Sequence, residues 1–189
     1  MQETSLTMST TETTSTSTLH TGTWVAEPAH SEVGFTVRHL GLSKVRGRFN
    51  SFTATAEIAE PATASSVTAS IDMSSVDTNN ADRDGHLRSS DFFDAEQSPQ
   101  MTFVSTKVTE DTLAGDLTIN GITKPVELDL EFHGVTVDGY GATRSGFSAE
   151  GVIKRSDFGI DFNMPVGVDG MLISDKVQIA LEIQLVPQS

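Results

Sequence analysis

Cysteine is absent from this 189-residue chain, which removes disulfides, thiolate metal sites and thiol nucleophiles together. That absence leaves the compartment open, since an oxidising environment permits disulfides without requiring them. Basic residues are scarce: twelve Lys and Arg stand against twenty-six Asp and Glu, for a net charge of −14. A phosphate backbone demands cations clustered over a broad surface, so this balance argues against a nucleic-acid partner. Nothing approaches the ~18 consecutive apolar residues that cross a bilayer, and no stable membrane insertion is expected. Residues 1–21 hold no Lys or Arg and thirteen Ser or Thr. They lack the basic start and apolar run of a signal peptide, so the cytoplasm is the expected location. They also lack the apolar surface to offset chain entropy, and a disordered tail is expected, with Met8 an alternative start. Gly-x-Ser-x-Gly, phosphate-loop, dinucleotide and His-Glu-x-x-His motifs are all missing. Ser31, His86 and Asp91 are present, but their spacing does not select them as a triad. No catalytic residue and no cofactor is assigned.

Alternation is what the chain has in quantity. Val177, Ile179, Leu181, Ile183 and Leu185 share one face, with Lys176, Gln178, Glu182 and Gln184 on the other. Val126, Leu128, Leu130 and Phe132 alternate with Glu127, Asp129 and Glu131, and Val67, Ala69, Ile71 and Met73 alternate with Thr68, Ser70 and Asp72. A period of two with one dry face marks antiparallel strands. Further strands read at residues 23–27, 32–39, 44–58, 100–109, 112–120 and 144–154. Val45 and Phe49 share one parity, while Phe52, Ala54 and Ile58 share the other. A bulge at Asn50-Ser51 would account for that switch. Turn signals fall at Gly41, Glu60-Pro61, Glu110-Asp111, Asn120-Gly121, Asp138-Gly139 and Asp169-Gly170, at hairpin-like spacing. One short helix is expected over residues 80–90, capped by Asn79 or Asn80, with Asp82 and Asp84 in its first turn. A 3₁₀ turn is expected at 155–158. Eight or nine strands in this pattern suggest an all-β fold. The expected form is an antiparallel up-and-down β-barrel of about eight strands with one short helix in a connection. Periodicity alone does not choose between barrel and sandwich. Residues 22–189 read as one domain after the tail.

Residues 31–50 carry Arg38, Lys44, Arg46 and Arg48 against Glu32 alone, a charge of +3 inside an acidic chain. On one reading Phe35, Val37 and Phe49 line an apolar pocket. Some of His30, Arg38, His39, Arg46 and Arg48 then hold an anionic head group at its mouth. On the other, Arg46 and Arg48 solvate an outward face, which is where strand parity points them. His30, His39, His86 and His133 show no tight metal-ligand spacing and complete no carboxylate triad, so no metal site is assigned. Phe92 and Phe93, after the helix, either lid a barrel or anchor the helix to the sheet. Asp94 is expected to cap or to pair with Arg88.

Several segments resemble the YceI-like family of lipid- and polyisoprenoid-binding proteins. They are residues 30–49, His86-Leu-Arg-Ser-Ser-Asp-Phe-Phe-Asp94, Ser98-Pro-Gln-Met-Thr-Phe103, Gly115-Asp-Leu-Thr-Ile-Asn-Gly-Ile-Thr-Lys-Pro-Val126 and Arg155-Ser-Asp-Phe-Gly159. The resemblance covers roughly residues 22–187 in family order. It implies a lipocalin-like barrel that binds, carries or sequesters a long apolar lipid: a polyisoprenoid, an isoprenoid quinone or a fatty-acid derivative. Many relatives carry export signals, so their absence here is informative. Candidate lining residues are Phe35, Val37, Phe49, Phe103, Leu117, Ile119, Leu128, Leu130, Phe147, Ile179, Leu181 and Ile183. Candidates for the head group at the rim are His30, Arg38, His39, Arg46, Arg48 and His86. Two other readings stay open: a protein-interaction or stress-response module without lipid, and an enzyme using the same cavity. A homodimer is compatible with each.

Overall fold

The computed structural model describes residues 19–167 and 170–188. All but the last three residues of the expected tail lie outside these, as does Asp169 of the last turn signal. Strands β1 (Gly22–Ala26), β2 (Glu32–His39), β3 (Ser43–Phe49), β4 (Phe52–Ile58), β5 (Ser66–Asp72) and β6 (Val76–Asp77) precede the helix α1 (Ala81–Arg88). After it come β7 (Gln100–Val108), β8 (Thr112–Ile119), β9 (Ile122–Val137) and β10 (Thr143–Lys154). The short β11 (Pro165–Val166) and β12 (Gly170–Met171) lead into β13 (Ile173–Pro187).

Eight strands close a ring in the order β1-β4-β5-β7-β8-β9-β10-β13, with β1 returning to β13. Every pairing in the ring is antiparallel. Of barrel and sandwich, the chain forms the barrel. β13 is long enough to serve two partners along one edge. It pairs with β2 from Ile173↔His39 to Glu182↔Glu32, then with β1 from Ala26↔Leu185 to Trp24↔Pro187. β2, β3 and β6 therefore form a flap that extends the wall beyond the ring. The phase change at residues 49–52 comes from this split, not from the expected bulge. β3 follows β2, whereas β4 lies between β1 and β5. Asn50 and Ser51 leave the ladder, and their N–H groups donate to the Ser75 carbonyl at 3.1 Å and to Ser75 Oγ at 3.0 Å. Irregularities in register occur instead at Ser105/Lys107 in β7 and at Gly146/Phe147 in β10.

A barrel of about eight strands can be solid or hollow, and the inward positions decide which. Ala54 faces Ala69 across β4 and β5, and Ala56, Ala149, Gly47 and Gly115 also stand on the inner face. Small residues there leave the centre unfilled. At Gly115 a Cβ would lie 2.5 Å from Phe103 Cζ, so glycine lets that ring lie flat along the wall. Gly47 gives the Phe35 ring the same room.

α1 has almost no apolar face and is held by polar groups. Asn80 Oδ1 accepts from the Arg83 N–H at 2.9 Å, the expected N-cap. Buried Asp84 accepts from the Thr78 N–H at 2.8 Å and from Thr78 Oγ1 at 2.5 Å, tying the helix back to β6. A 3₁₀ turn occupies Arg155–Phe158, as expected.

Candidate functional site

The barrel encloses a cavity of about 1170 Å³. Apolar side chains line it along its length, from Ile173, Ile160 and Phe92 near α1 to Ile58, Leu19 and Val108 near β1. We call these the helix end and the β1 end. Phe35, Val37, Phe49, Phe103, Leu117, Ile119, Leu128, Leu130, Phe147, Ile179, Leu181 and Ile183 all lie on this wall. Strand parity puts them there: Phe35, Val37 and Val45 share a face with Phe49, and Val177, Ile179, Leu181 and Ile183 face them or their neighbours across β13.

Charged and imidazole side chains on the wall segregate by sign. Arg38, His39, Arg83, His86 and Arg155 line the helix end, whereas Glu60 and Glu110 line the β1 end. His86 Nε2 lies 2.8 Å from Asp91 Oδ2, and its ring meets Phe92 and Phe162 edge-on at centroid distances of 5.0 Å each. Arg83 reaches from the first turn of α1 to Thr78, just after β6, donating from Nε to Thr78 Oγ1 at 2.7 Å and from Nη2 to the Thr78 carbonyl at 2.9 Å. Two of its five N–H donors are thereby fixed, and the residue lines the cavity.

Arg155 is buried, and its guanidinium donates to the carbonyls of Ile160 at 2.6 Å, Phe162 at 2.9 Å, Ser174 at 3.1 Å and Ile173 at 3.5 Å. Burial draws its pKa below the ordinary value, opposed by Asp175 and Asp161. An arginine nevertheless stays protonated in a protein. This residue folds the chain after β10 against β13 and turns Phe158, Ile160 and Phe162 into the cavity.

Three of the six rim candidates, Arg38, His39 and His86, line the cavity mouth, and the other three do not. His30 is exposed, with Nδ1 2.6 Å from Glu27 Oε2 on the outer surface. Arg46 lies opposite Thr36 and Arg48 opposite Gly34, on the outward parity of the β2–β3 ladder. Arg48 Nη2 also lies 3.6 Å from Asp77 Oδ2. Arg38 shares that outward parity and borders the mouth only because it lies near the end of β2, whereas Arg46 and Arg48 sit further along the ladder and His30 lies in the Pro28–His30 turn before it. The remaining histidines stay apart: His133 Nε2 is 2.9 Å from Ser148 Oγ. Among the described residues no three His, Asp or Glu converge as a metal site.

Phe92 is buried, and both Phe92 and Phe93 line the cavity, so lid and anchor are one structure. Asp94 forms no ion pair with Arg88 among the described residues. Its carbonyl accepts from the Ser98 and Gln97 N–H groups at 2.8 and 3.0 Å. Sequence reasoning passed over Arg83, whose one local signal is a lone cation between Asp82 and Asp84 in a first helical turn. It also passed over the aperiodic residues 158–164.

A family model for the YceI-like domain matches residues 24–185. A UPF0312 protein of Pectobacterium atrosepticum is 43% identical over 153 residues, covering 78% of this chain and 80% of that protein. Protein YceI of Escherichia coli is 46% identical over 140 residues, covering 71% and 73%. Among solved structures, BcnA of Burkholderia cenocepacia superposes with a TM-score of 0.71 at 25% identity, over 84% of this chain and 98% of its own. The Campylobacter jejuni YceI protein gives 0.67 at 34%, over 86% and 96%. A polyisoprenoid-binding domain from Saccharophagus degradans gives 0.65 at 14%, over 89% and 100%, a likeness of fold alone. Ring closure, strand order and a match across the whole barrel lead to one assignment: this chain belongs to the YceI-like family.

Proposed function

We propose that this protein carries or sequesters one long apolar lipid within the barrel, without chemical turnover, and holds an anionic head group at the helix end. The observation that carries the reading is the cavity itself, about 1170 Å³ with a continuous apolar wall and its cations gathered at one end. That volume exceeds the ~300–1,000 Å³ of drug-sized pockets, so a chain suits it better than a compact metabolite. Each buried methylene is worth about 0.8 kcal/mol, so ten supply on the order of 8 kcal/mol before association costs are met. The charge separation sets direction. A phosphate or carboxylate head meets Arg38, Arg83, His39 and His86 at the helix end and would meet Glu60 and Glu110 at the other. The polyisoprenoid-binding domain of Saccharophagus degradans, which shares the fold, supports a prenyl chain as the first cargo to try. Quinones and acyl chains follow.

The test is native mass spectrometry of protein purified from its own host, followed by lipid extraction and titration with prenyl and acyl probes. A single bound lipid per barrel is expected. The Ala54→Phe/Ala69→Phe double variant, which puts two rings into the middle of the cavity, is expected to fold and to lose at least tenfold in probe affinity. An empty wild-type protein that takes up no prenyl or acyl chain at micromolar concentration would sink the proposal. Turnover abolished by alanine at His39 and His86 with binding intact would replace it with an enzyme.

A further inference from the structure

We infer that the helix-end lip of the barrel, together with the outer face of the β2–β3 ladder, docks on an anionic lipid bilayer. Exposed apolar side chains converge at one place. Leu42 is 80% exposed, Met171 58%, Met164 53%, Val166 39% and Leu40 38%. The first hairpin tip, between β2 and β3, presents Leu40 and Leu42, and the β11–β12 hairpin presents the other three. The first tip is tied to the base of the second hairpin: the Leu40 N–H donates to the Leu172 carbonyl, and within that base the Leu172 N–H donates to the Met164 carbonyl, each at 2.9 Å. A soluble surface seldom gathers aliphatic and thioether side chains in this way unless something covers them.

The adjoining face is mainly cationic, although Asp77 lies 3.6 Å from Arg48 at its edge. Arg38 faces Lys44 across the ladder, Arg46 faces Thr36 and Arg48 faces Gly34, so four cations share the outward parity of two paired strands. Glu32 sits at the far end of β2, beside Glu182. This patch belongs to a chain of net charge −14. An apolar lip backed by Lys and Arg matches an anionic membrane surface, where aliphatic tips enter the headgroup boundary and cations meet phosphate. It does not suit a second copy of this chain, because a two-fold contact would set four cations against four. The lip is also continuous with the cavity: Met164, Leu172, His39, Arg38 and Ser43 line its mouth. Docking there puts the mouth against the bilayer, so an apolar chain passes between the two without crossing water. This goes beyond carriage, and the surface stands whether or not the cavity is loaded.

Co-sedimentation of the full chain with vesicles tests it, using phosphatidylcholine alone and phosphatidylcholine with one-third phosphatidylglycerol. The expected result is binding to the anionic vesicles only, weakened by added salt. Leu42→Asp, Leu42→Ser and the Lys44→Glu/Arg46→Glu pair are each expected to weaken it at least tenfold. Their affinity for a soluble acyl or prenyl probe should be unchanged, because none of these side chains is on the cavity wall. Equal binding to both vesicle types, no binding, or variants that bind as wild type would overturn the inference. So would light scattering in which wild type is a dimer and Leu42→Asp a monomer, since a second copy would then cover the lip. Vesicle binding as expected with no probe uptake would uphold docking and refute carriage, so the two proposals fail separately.

Discussion

At the β1 end Trp24 is 1% exposed and packs on Ala56 and Leu185, with Leu19, Ile58 and Phe147 around it. Its indole N–H finds the His20 carbonyl at 3.0 Å, and strand pairing on both sides of β1 completes the wall. The helix end is packed as well, with Phe92, Phe158 and Ile160 buried, but it adds a set of polar ties to that packing. There β6, α1 and residues 89–99 fill the space between the β2–β3 flap and β7, and polar side chains help to hold them and the neighbouring residues 158–164. Asp84 binds Thr78, Arg155 gathers four carbonyls, and Asn120 Nδ2 donates to the Phe92 carbonyl at 2.9 Å. Apolar packing is lost only by exposing area to water. A loop sewn by hydrogen bonds can exchange them for water one at a time, at a net ~0.5–1.5 kcal/mol each. If the barrel carries a lipid as proposed, the β1 end is the one expected to stay shut and the helix end the one expected to admit the guest.

The largest effect that tests this contrast is expected from Trp24→Ala. Removing a fully buried indole costs about 3–5 kcal/mol, which denaturant unfolding would read as a large fall in the midpoint. The loss should be global, because β1 is the strand that closes the ring. A variant that unfolds like wild type would show that the barrel does not depend on that seal.

Arg155→Lys comes next. An ammonium on a flexible stem cannot reproduce a planar fork serving four carbonyls. A buried carbonyl left without a partner costs about 1–3 kcal/mol, so a loss near 2 kcal/mol is expected. Its signature should be local: faster amide exchange over residues 158–164 and 172–174, with the β1–β4 pairing still protected. Equal acceleration at both ends would break the distinction.

How much of this was legible beforehand depends on the range of each interaction. Lining positions such as Leu128, Ile179 and Leu181 follow from a two-residue period within one strand, a signal carried by three or four neighbouring residues. The Asn80 cap is equally local. The choice of barrel over sandwich is not, since it rests on β13 meeting both β1 and β2, more than 130 residues away in the chain. The rim was half legible. Parity already pointed Arg46 and Arg48 outward, and only their closeness to Phe49 argued otherwise. Arg83 reaches the mouth because Asp84 docks α1 on Thr78, a contact with no sequence pattern of its own. Phe162 and Ile160 face inward because Arg155 holds their carbonyls. Such irregular segments take their direction from tertiary bonds and leave no periodicity to read.

The smallest effect concerns an ionic tie on the outer surface near the β1 end, where the contrast predicts charge to be secondary. Arg144 donates to Glu27 Oε2 at 2.7 Å, to Asp138 Oδ2 at 2.7 Å and to Gln184 Oε1 at 3.0 Å. The hydrogen bond from His30, followed by Arg144, holds the Glu27 carboxyl below its ordinary pKa, and the Arg144 guanidinium does the same for Asp138. A carboxyl whose pKa is lower folded than unfolded binds its proton more readily in the unfolded chain. Its contribution is therefore complete above the unfolded values, about 3.9 for Asp and 4.3 for Glu, and fades as pH falls through the lower folded ones. Wild type should then melt progressively lower below about pH 4. Arg144→Gln should melt slightly below wild type at pH 6 and converge with it near pH 3. Because these groups lie in high-dielectric surroundings, the gap at pH 6 should be far smaller than that made by Trp24→Ala. A gap as large as the tryptophan's would mean that salt bridges, not apolar packing, keep this end shut, and the contrast between the ends would have to be reversed.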